Sequence, residues 1–255
     1  MKIITVANQK GGVGKTTTVI SISHQLAMRG YKTLIMDFDP QGQSGSFINI
    51  EPAPGIFNFA IGPRIGEAAM SNARLGIKKT GRKNLDILPG DFSTSTVQVI
   101  FQTENRPLNF LRDGIKAFAK KDYDFVILDT APSVGGIQER AIWAADLLLI
   151  PSVTDYGSTE GLDKIIETVI ELQTGQDWKG LVAGILPTFH DESTRECRSS
   201  IELLRERFSE VVLSPVHRAT VLKECAAYGK TVWEMSPKHR AAQEYELVVD
   251  HLLRR

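Results

Sequence analysis

A glycine-rich stretch near the start of the chain combines two lysines with three consecutive threonines. Residues 8–18 read Asn-Gln-Lys-Gly-Gly-Val-Gly-Lys-Thr-Thr-Thr. Glycines let backbone N–H groups close around phosphate oxygens, because no Cβ stands in the way. Lys15 can bring an ammonium to the β- and γ-phosphates of a nucleotide, and Thr16 can offer a hydroxyl to Mg²⁺. The stretch therefore predicts a phosphate-binding loop.

The segments on either side of this loop predict the elements that must position it. Residues 3–7 are apolar and β-branched, which is typical of a buried strand. Residues 19–27 carry apolar side chains at helical spacing, and Gly30 ends that pattern. A strand, a glycine loop and a helix in this order direct the helix N-terminus at the phosphates. The standard motif has glycine where this chain has Gln9, and Lys10 is a cation that the standard loop lacks.

Carboxylates follow two further strand-like runs. Asp37 and Asp39 come directly after residues 32–36, and Asp129 ends the apolar run 123–129. Open α/β sheets bind ligands at the carboxyl ends of their strands, so we expect these carboxylates beside the phosphate loop. There they can hold Mg²⁺ through water or orient an attacking water molecule.

Strand-like and helix-like segments alternate along the whole chain. The alternation predicts an α/β fold: one doubly wound, mostly parallel sheet flanked by helices, as a single domain over residues 1–255. We expect no helix-turn-helix domain before the first strand. Further strands are expected at 84–90, 146–151, 181–188 and 211–213, and helices at 56–61, 66–72, 94–102, 107–119, 158–173, 193–207 and 240–253.

The composition is that of an ordinary globular protein. Of 255 residues, 42% are hydrophobic, and 30 Lys and Arg balance 30 Asp and Glu. A nucleic-acid surface would therefore have to be a local patch. Cys197 and Cys225 show neither a disulfide framework nor metal-ligand spacing. No run approaches the ~18 apolar residues that a transmembrane helix needs, so we expect a cytoplasmic protein with no membrane partner.

The loop also resembles a known family motif. In the form Ala-Asn-Gln-Lys-Gly-Gly-Val-Gly-Lys-Thr-Thr-Thr it looks like the deviant Walker A motif of the ParA/MinD superfamily of P-loop NTPases, and it is most similar to ParA (Soj-like) partition ATPases. Residues 129–133, Asp-Thr-Ala-Pro-Ser, match the family's Asp-x-x-Pro-Ser pattern. The resemblance covers nearly the whole chain and implies ATP and Mg²⁺ as cofactors.

The resemblance also implies catalytic roles. Lys10 would reach the phosphates bound by the partner subunit of an ATP-dependent homodimer, while Lys15 serves its own nucleotide. Asp39 would position or activate the hydrolytic water, and residues 134–136 would form a switch segment that senses the γ-phosphate. The implied metal residues are Thr16, Asp37 and Asp129, and the implied ATP-binding residues are Gly11, Gly12, Val13, Gly14, Lys15, Thr16, Thr17, Pro187, Thr188 and Arg218.

The function that the resemblance implies is slow, partner-stimulated ATP hydrolysis. The ATP-bound dimer would bind DNA without sequence preference and segregate a plasmid, chromosome or other cargo with a ParB-like or other adaptor protein. Such a protein would be cytoplasmic and nucleoid-associated. The basic residues that we assign to DNA are Lys78, Lys79, Arg82, Lys83, Lys223, Lys230, Lys238 and Arg240.

Two alternatives stay open at this point. A MinD-like, membrane-associated spatial regulator needs a C-terminal amphipathic anchor, whereas residues 240–253 are expected to pack inward. A P-loop ligase or synthetase of small-molecule metabolism needs a pocket for a second substrate. A nitrogenase-like reductase is disfavoured, because Cys197 and Cys225 fall too late in the chain to hold its cluster.

Overall fold

A seven-stranded sheet forms the centre of the molecule. The computed structural model describes residues 1–65, 73–132, 136–154 and 158–255, and the side chains of 62–65 and 158–160 lie outside this description. The strands are β1 Lys2–Val6, β2 Thr33–Phe38, β3 Lys78–Lys79, β4 Leu85–Leu88, β5 Phe125–Thr130, β6 Leu147–Val153 and β7 Leu181–Thr188.

The strand order is β3-β4-β2-β5-β1-β6-β7, and only the pairing of β3 with β4 is antiparallel. This confirms the predicted doubly wound, mostly parallel α/β fold. The central strands are apolar on both faces because helices cover both sides of the sheet. The helices are α1 Lys15–Met28, α2 Gln43–Phe47, α3 Gly55–Ile65, α4 Thr94–Thr103, α5 Asn109–Ala119, α6 Ile137–Ala144, α7 Ser158–Gly175, α8 Arg195–Phe208, α9 Thr220–Ala227, α10 Val232–Met235 and α11 Arg240–Arg254.

The predicted strand at 211–213 is wrong. A 3₁₀ turn occupies Ser209–Val211, and Val212 forms a single isolated parallel bridge with Ile185 of β7. The turn uses the start of the β-branched run, so too little chain remains for a strand. The predicted helix 66–72 and two of the three residues of the predicted switch segment 134–136 lie outside the described residues.

Parallel pairing brings the functional ends of the strands together. β1 pairs with both β5 and β6, so the loop that follows β1 emerges at the centre of the sheet. β2 pairs with β5 in a register that sets Asp37 opposite Asp129. The two acidic strand ends therefore lie side by side, next to the amino end of α1.

The C-terminal helix packs inward against α1. Tyr245, Val248, Val249 and Leu252 of α11 are buried, and the Tyr245 hydroxyl lies 3.3 Å from Oγ1 of Thr18. These contacts hold the helix that carries the phosphate-binding residues in place. Among the described residues, no helix is both long and apolar enough to cross a bilayer.

A buried histidine joins α1 to the segment around α10. His24 is 8% exposed, and its Nδ1 lies 2.7 Å from Oγ1 of Thr231. Thr231 and Glu234 form a capping box at the start of α10, and Arg82 donates to Glu234 over 2.8 Å. Burial lowers the pKa of His24 to about 4.

Acid should therefore destabilise the fold through His24. Above the ordinary pKa of 6.5 the histidine is neutral in both states, and as the pH falls toward 4 only the unfolded chain takes up the proton. Roughly 2–3 kcal/mol of stability should be lost across that window. Urea unfolding of His24→Asn at pH 7 and pH 4.5 should show a smaller difference between the two pH values than wild type. An equal difference would contradict this assignment.

Candidate functional site

The loop between β1 and α1 has the backbone that phosphate binding requires. Gly12 and Gly14 adopt φ values of 73° and 82°, in the left-handed region that other residues rarely enter. Lys15 begins α1, so the helix N-terminus faces the loop. A cavity of about 620 Å³ opens here. Its lining consists of Gly12, Gly14, Lys15, Thr16, Thr17, Asp39, Pro40, Gln41, Gln43, Ala131, Pro132 and Phe189.

The Lys15 side chain is buried, with 7% exposure, and lines this cavity. Its Nζ donates to the carbonyl oxygen of Lys10 over 3.1 Å. Burial lowers the pKa of Lys15, and the charges of Asp129 and Asp39 oppose that effect. A phosphate oxygen would compensate the desolvated ammonium, which makes this lysine a strong anion ligand.

Asp129 presents an unused oxygen beside the loop. Its Oδ2 accepts hydrogen bonds from Oγ1 of Thr16 at 2.8 Å and from Oγ of Ser44 at 2.7 Å. Its Oδ1 is buried and has no hydrogen-bond partner among the described residues. Burial raises the pKa of Asp129 to about 6, although both hydroxyl groups and Lys15 oppose the shift.

These features fit a divalent cation. An orphaned carboxylate oxygen next to a threonine hydroxyl suits Mg²⁺, which prefers oxygen ligands and keeps several waters. Within the described ranges, no group of three His, Cys, Asp or Glu side chains could hold a metal ion. Thr16 and Asp129 are the residues that would hold such a cation beside bound nucleotide phosphates.

Asp37 is fully buried and organises the chain around it. Its Oδ1 accepts from the backbone N–H of Asp39 at 3.1 Å, and its Oδ2 accepts from that of Ser44 at 3.0 Å. Burial and the charge of Asp129 raise the pKa of Asp37 well above its ordinary value. Both oxygens hold the loop 39–44, so Asp37 positions Asp39 and Ser44, and its role in a metal site stays a prediction.

Asp39 lines the cavity, beside the phosphate loop where the sequence predicted a carboxylate. It is 8% exposed and lines the same cavity as Lys15 and Thr16. Its Oδ1 accepts from the backbone N–H of Gln41 at 2.9 Å, which fixes the carboxylate orientation. Its role toward a water molecule stays a prediction.

Lys10 lies at the start of the loop, where its backbone is held at both ends. Its N–H donates to Oδ1 of Asn8 at 2.8 Å, and its carbonyl accepts from Lys15. The Asn8 amide in turn donates to the carbonyl of Pro151 on β6 at 2.7 Å. The reach of Lys10 to a partner subunit stays a prediction.

Phe189 is a site residue that the sequence did not reveal. It follows β7 with φ of 51°, and it lines both the phosphate cavity and a neighbouring apolar cavity of about 470 Å³. The apolar cavity begins at Thr16 and Thr17, so it continues from the phosphate end of the site. Its lining consists of Thr16, Thr17, Gln43, Ser46, Phe47, Phe189, Leu222, Lys223 and Ala226.

The three predicted base-binding residues have different surroundings in the structure. Thr188 is 2% exposed, and its hydroxyl donates to the carbonyl of Val13 at 2.9 Å, so it buttresses the phosphate loop. The carbonyl of Pro187 accepts from the backbone N–H of Val216 at 2.8 Å. Arg218 is exposed and lines a separate hollow with His190 and His217. The adenine contacts of these residues stay predictions.

Ion pairs engage three of the predicted DNA-binding residues, Lys79, Arg82 and Arg240, whose contacts with DNA stay predictions. The side chain of Arg82 is 9% exposed, and its guanidinium donates to Glu234 and to the carbonyl of Gly229, so it is engaged within the chain. Arg240 pairs with Glu192 and Glu244, which neutralise it. Lys79 pairs with Asp86 over 2.7 Å yet is 83% exposed. Lys78, Lys83, Lys230 and Lys238 are exposed, while Lys223 lines the apolar cavity.

The fold and this loop define a P-loop nucleotide-binding protein of the doubly wound α/β type. The family described as an AAA domain matches residues 1–179. The chain is 32% identical to the chromosome partitioning protein ParA of Myxococcus xanthus, over 100% of this chain and 88% of that protein. It is 32% identical to the sporulation initiation inhibitor protein Soj of Bacillus subtilis, over 96% and 95% of the two chains. The chain belongs to the ParA/Soj-like branch of the ParA/MinD family of ATPases.

A solved structure supports the fold independently. A McdA variant from Cyanothece in complex with ATP superposes with a TM-score of 0.87 at 21% identity, covering 99% of this chain and 96% of that one. At this identity the likeness concerns the fold alone.

Proposed function

We propose that this chain, as a single ATPase domain, is an ATP-driven positioning switch. It binds ATP with Mg²⁺, closes into a homodimer, binds DNA without sequence preference and releases it after slow hydrolysis that an adaptor protein stimulates. The cycle would segregate a plasmid, a chromosome or another cargo in the nucleoid region of the cytoplasm. The ParA and Soj names of its relatives support this reading.

One observation carries the ATPase part of the proposal. Lys15, Thr16 and Oδ1 of Asp129, which has no partner in the described part of the chain, converge beside one cavity at the N-terminus of α1. An ammonium, a hydroxyl and a carboxylate in this arrangement suit a triphosphate with its metal ion. Asp39 lines the same cavity, and its carboxylate would position the attacking water molecule.

The dimer part of the proposal rests on the two lysines of the loop. Lys15 faces its own cavity, while Lys10 lies five residues earlier and accepts a hydrogen bond from Lys15 at its carbonyl. Two subunits that meet at this face would place Lys10 near the neighbouring phosphates, where a second cation stabilises the charge of the transition state. ATP binding and dimerisation would then be linked.

The direct test measures ATP hydrolysis and DNA mobility shift, with and without ATP, in the presence and absence of the protein encoded next door. We expect ATP-dependent DNA binding that weakens steeply with salt, and hydrolysis that rises when DNA and adaptor are both present. Turnover that requires a small-molecule substrate would instead favour a ligase, and ATP-dependent flotation with liposomes would favour a membrane regulator.

Phe189 should act as a platform for the base. Its ring lies where the phosphate cavity passes into the apolar cavity, and aromatic stacking on a base is worth about 1–3 kcal/mol. Phe189→Ala should therefore weaken ATP binding by roughly 5- to 100-fold in equilibrium titration with a fluorescent ATP analogue. Phe189→Tyr keeps the ring and should bind nearly as wild type. Equal affinity of all three proteins would contradict a stacking role.

The DNA surface should include Lys83 and Lys230. Arg82 ties the two segments together by donating to the carbonyl of Gly229 at 2.8 Å, so the two exposed lysines flank one junction. Lys83→Glu and Lys230→Glu should each weaken ATP-dependent DNA binding and lower the salt slope by about 1. The control is Lys179→Glu, at an exposed position before β7. An unchanged salt slope in both variants would place the DNA surface elsewhere.

A further inference from the structure

The start of the phosphate loop rests against α7 at a helix position where there is no side chain. A Cβ built at Gly161 would lie 2.8 Å from Cβ of Lys10, 3.2 Å from Oδ1 of Asn8 and 3.4 Å from the backbone nitrogen of Lys10. Non-bonded contacts of Cβ atoms essentially never fall below 3.0 Å. The atom in the way is the root of the Lys10 side chain, so the backbone of the loop would have to move.

A second contact lies on the same face of α7. Nε2 of Gln9 lies 3.4 Å from Oγ1 of Thr168, seven residues after Gly161 and thus two helical turns further along. Gln9 stands where the standard loop has glycine. The segment 8–10 is thus seated on α7. Further hydrogen bonds join it to β6 through Asn8, to Gln138 through the Asn8 carbonyl and to Lys15 through the Lys10 carbonyl.

We propose that Gly161 is a positioning residue for Lys10. By letting the loop lie directly on α7, it sets the path along which the Lys10 side chain leaves the subunit. The inference rests on the proposed function, because the use of Lys10 is to reach the partner's nucleotide. Lys15 begins α1, five residues beyond the contact, and touches the displaced segment through its hydrogen bond to the Lys10 carbonyl, so mutation at position 161 should affect Lys10 far more than Lys15.

Gly161→Ala should loosen the dimer without loosening nucleotide binding. The displaced Lys10 would lose a charge-assisted hydrogen bond to the partner's phosphate, so we expect the dimer dissociation constant with a non-hydrolysable ATP analogue to rise roughly 10- to 100-fold. Affinity of the monomer for the analogue should stay within about twofold. Sedimentation equilibrium measures the first quantity and fluorescence titration the second.

The chain offers a matched control in the same helix. Gly175 also lies in α7, and a Cβ there meets no atom of the described residues within 4 Å, so Gly175→Ala should dimerise as wild type. Alanine favours a helix over glycine, so neither variant should lose its fold, and thermal unfolding checks this. Loss of dimerisation in both variants would overturn the inference.

A double variant separates positioning from general damage. If Gly161 acts through Lys10, Lys10→Ala with Gly161→Ala should dimerise no more weakly than Lys10→Ala alone, because the side chain being positioned is gone. Additive losses would overturn the inference. If Gly161→Ala dimerises normally while Lys10→Ala does not, the role of Gly161 is refuted and the proposed function stands. If the wild-type chain stays monomeric with ATP, both are refuted.

Discussion

Lys15→Ala is expected to lose nucleotide binding almost completely. The buried ammonium lines the phosphate cavity, and hydrogen bonds to charged groups contribute about 1.5–3 kcal/mol each. Two such bonds, to the β- and γ-phosphates, correspond to an affinity loss of roughly 10²- to 10⁴-fold. Isothermal titration calorimetry with MgATP would measure it, and hydrolysis should fall with it.

Lys179→Ala is the control for this loss, since that lysine is 80% exposed and pairs with Asp177 at the surface. It should bind MgATP as wild type. Circular dichroism would check that Lys15→Ala is folded. A folded Lys15→Ala protein that hydrolysed ATP at the wild-type rate would refute the assignment of the phosphate site.

Asp129→Asn should raise the free energy of unfolding while weakening Mg²⁺-dependent ATP binding. The carboxylate is fully buried, and its pKa is raised to about 6, so at pH 7 the metal-free fold holds a desolvated charge at a cost. The neutral amide removes that cost, and the metal-free variant should gain roughly 2–3 kcal/mol in free energy of unfolding at pH 7. In return, the variant should lose the increase in ATP affinity that Mg²⁺ gives the wild type.

The two halves of this prediction are measured separately. Urea unfolding in EDTA gives the stability of the metal-free proteins, and ATP titration with and without Mg²⁺ gives the metal dependence. Asp122→Asn is a surface control, with a carboxylate that is 52% exposed and pairs with Arg74. An Asp129→Asn protein that kept a wild-type response to Mg²⁺ would show that Asp129 does not serve the metal.

Local features of the site could be predicted from the sequence because neighbouring residues carry them. The β1–loop–α1 unit spans fewer than thirty residues, and its glycines, lysines and threonines directly indicate phosphate binding. The acidic strand ends were also visible as apolar runs that stop at Asp37 and Asp129. That these two residues face each other depends on β2 pairing with β5, which no local pattern encodes.

Other parts depend on contacts between residues far apart in sequence. The basic residues around Arg82 predict an exposed basic surface. In the structure Arg82 pairs with Glu234, which lies 152 residues further along the chain, so no local pattern could reveal the pair. No sequence pattern indicates that Ser44 donates a hydrogen bond to Asp129. Phe189 is a single aromatic residue after a strand and belongs to no recognisable motif. A search for single aromatic residues directly after the carboxyl ends of predicted strands would have found Phe189.

Both borders of the sheet discourage growth of fibres by strand addition. One border is β3, which has only two residues, both of them exposed lysines. Along the other border, β7 is capped by the following chain, where Leu213 donates to the carbonyl of Ile185 at 2.9 Å and Val216 to that of Pro187 at 2.8 Å. Charge and coverage at sheet edges are how proteins avoid edge-to-edge aggregation. Copies crowded together on a polymer or at high local concentration would therefore not join through the edges of their sheets.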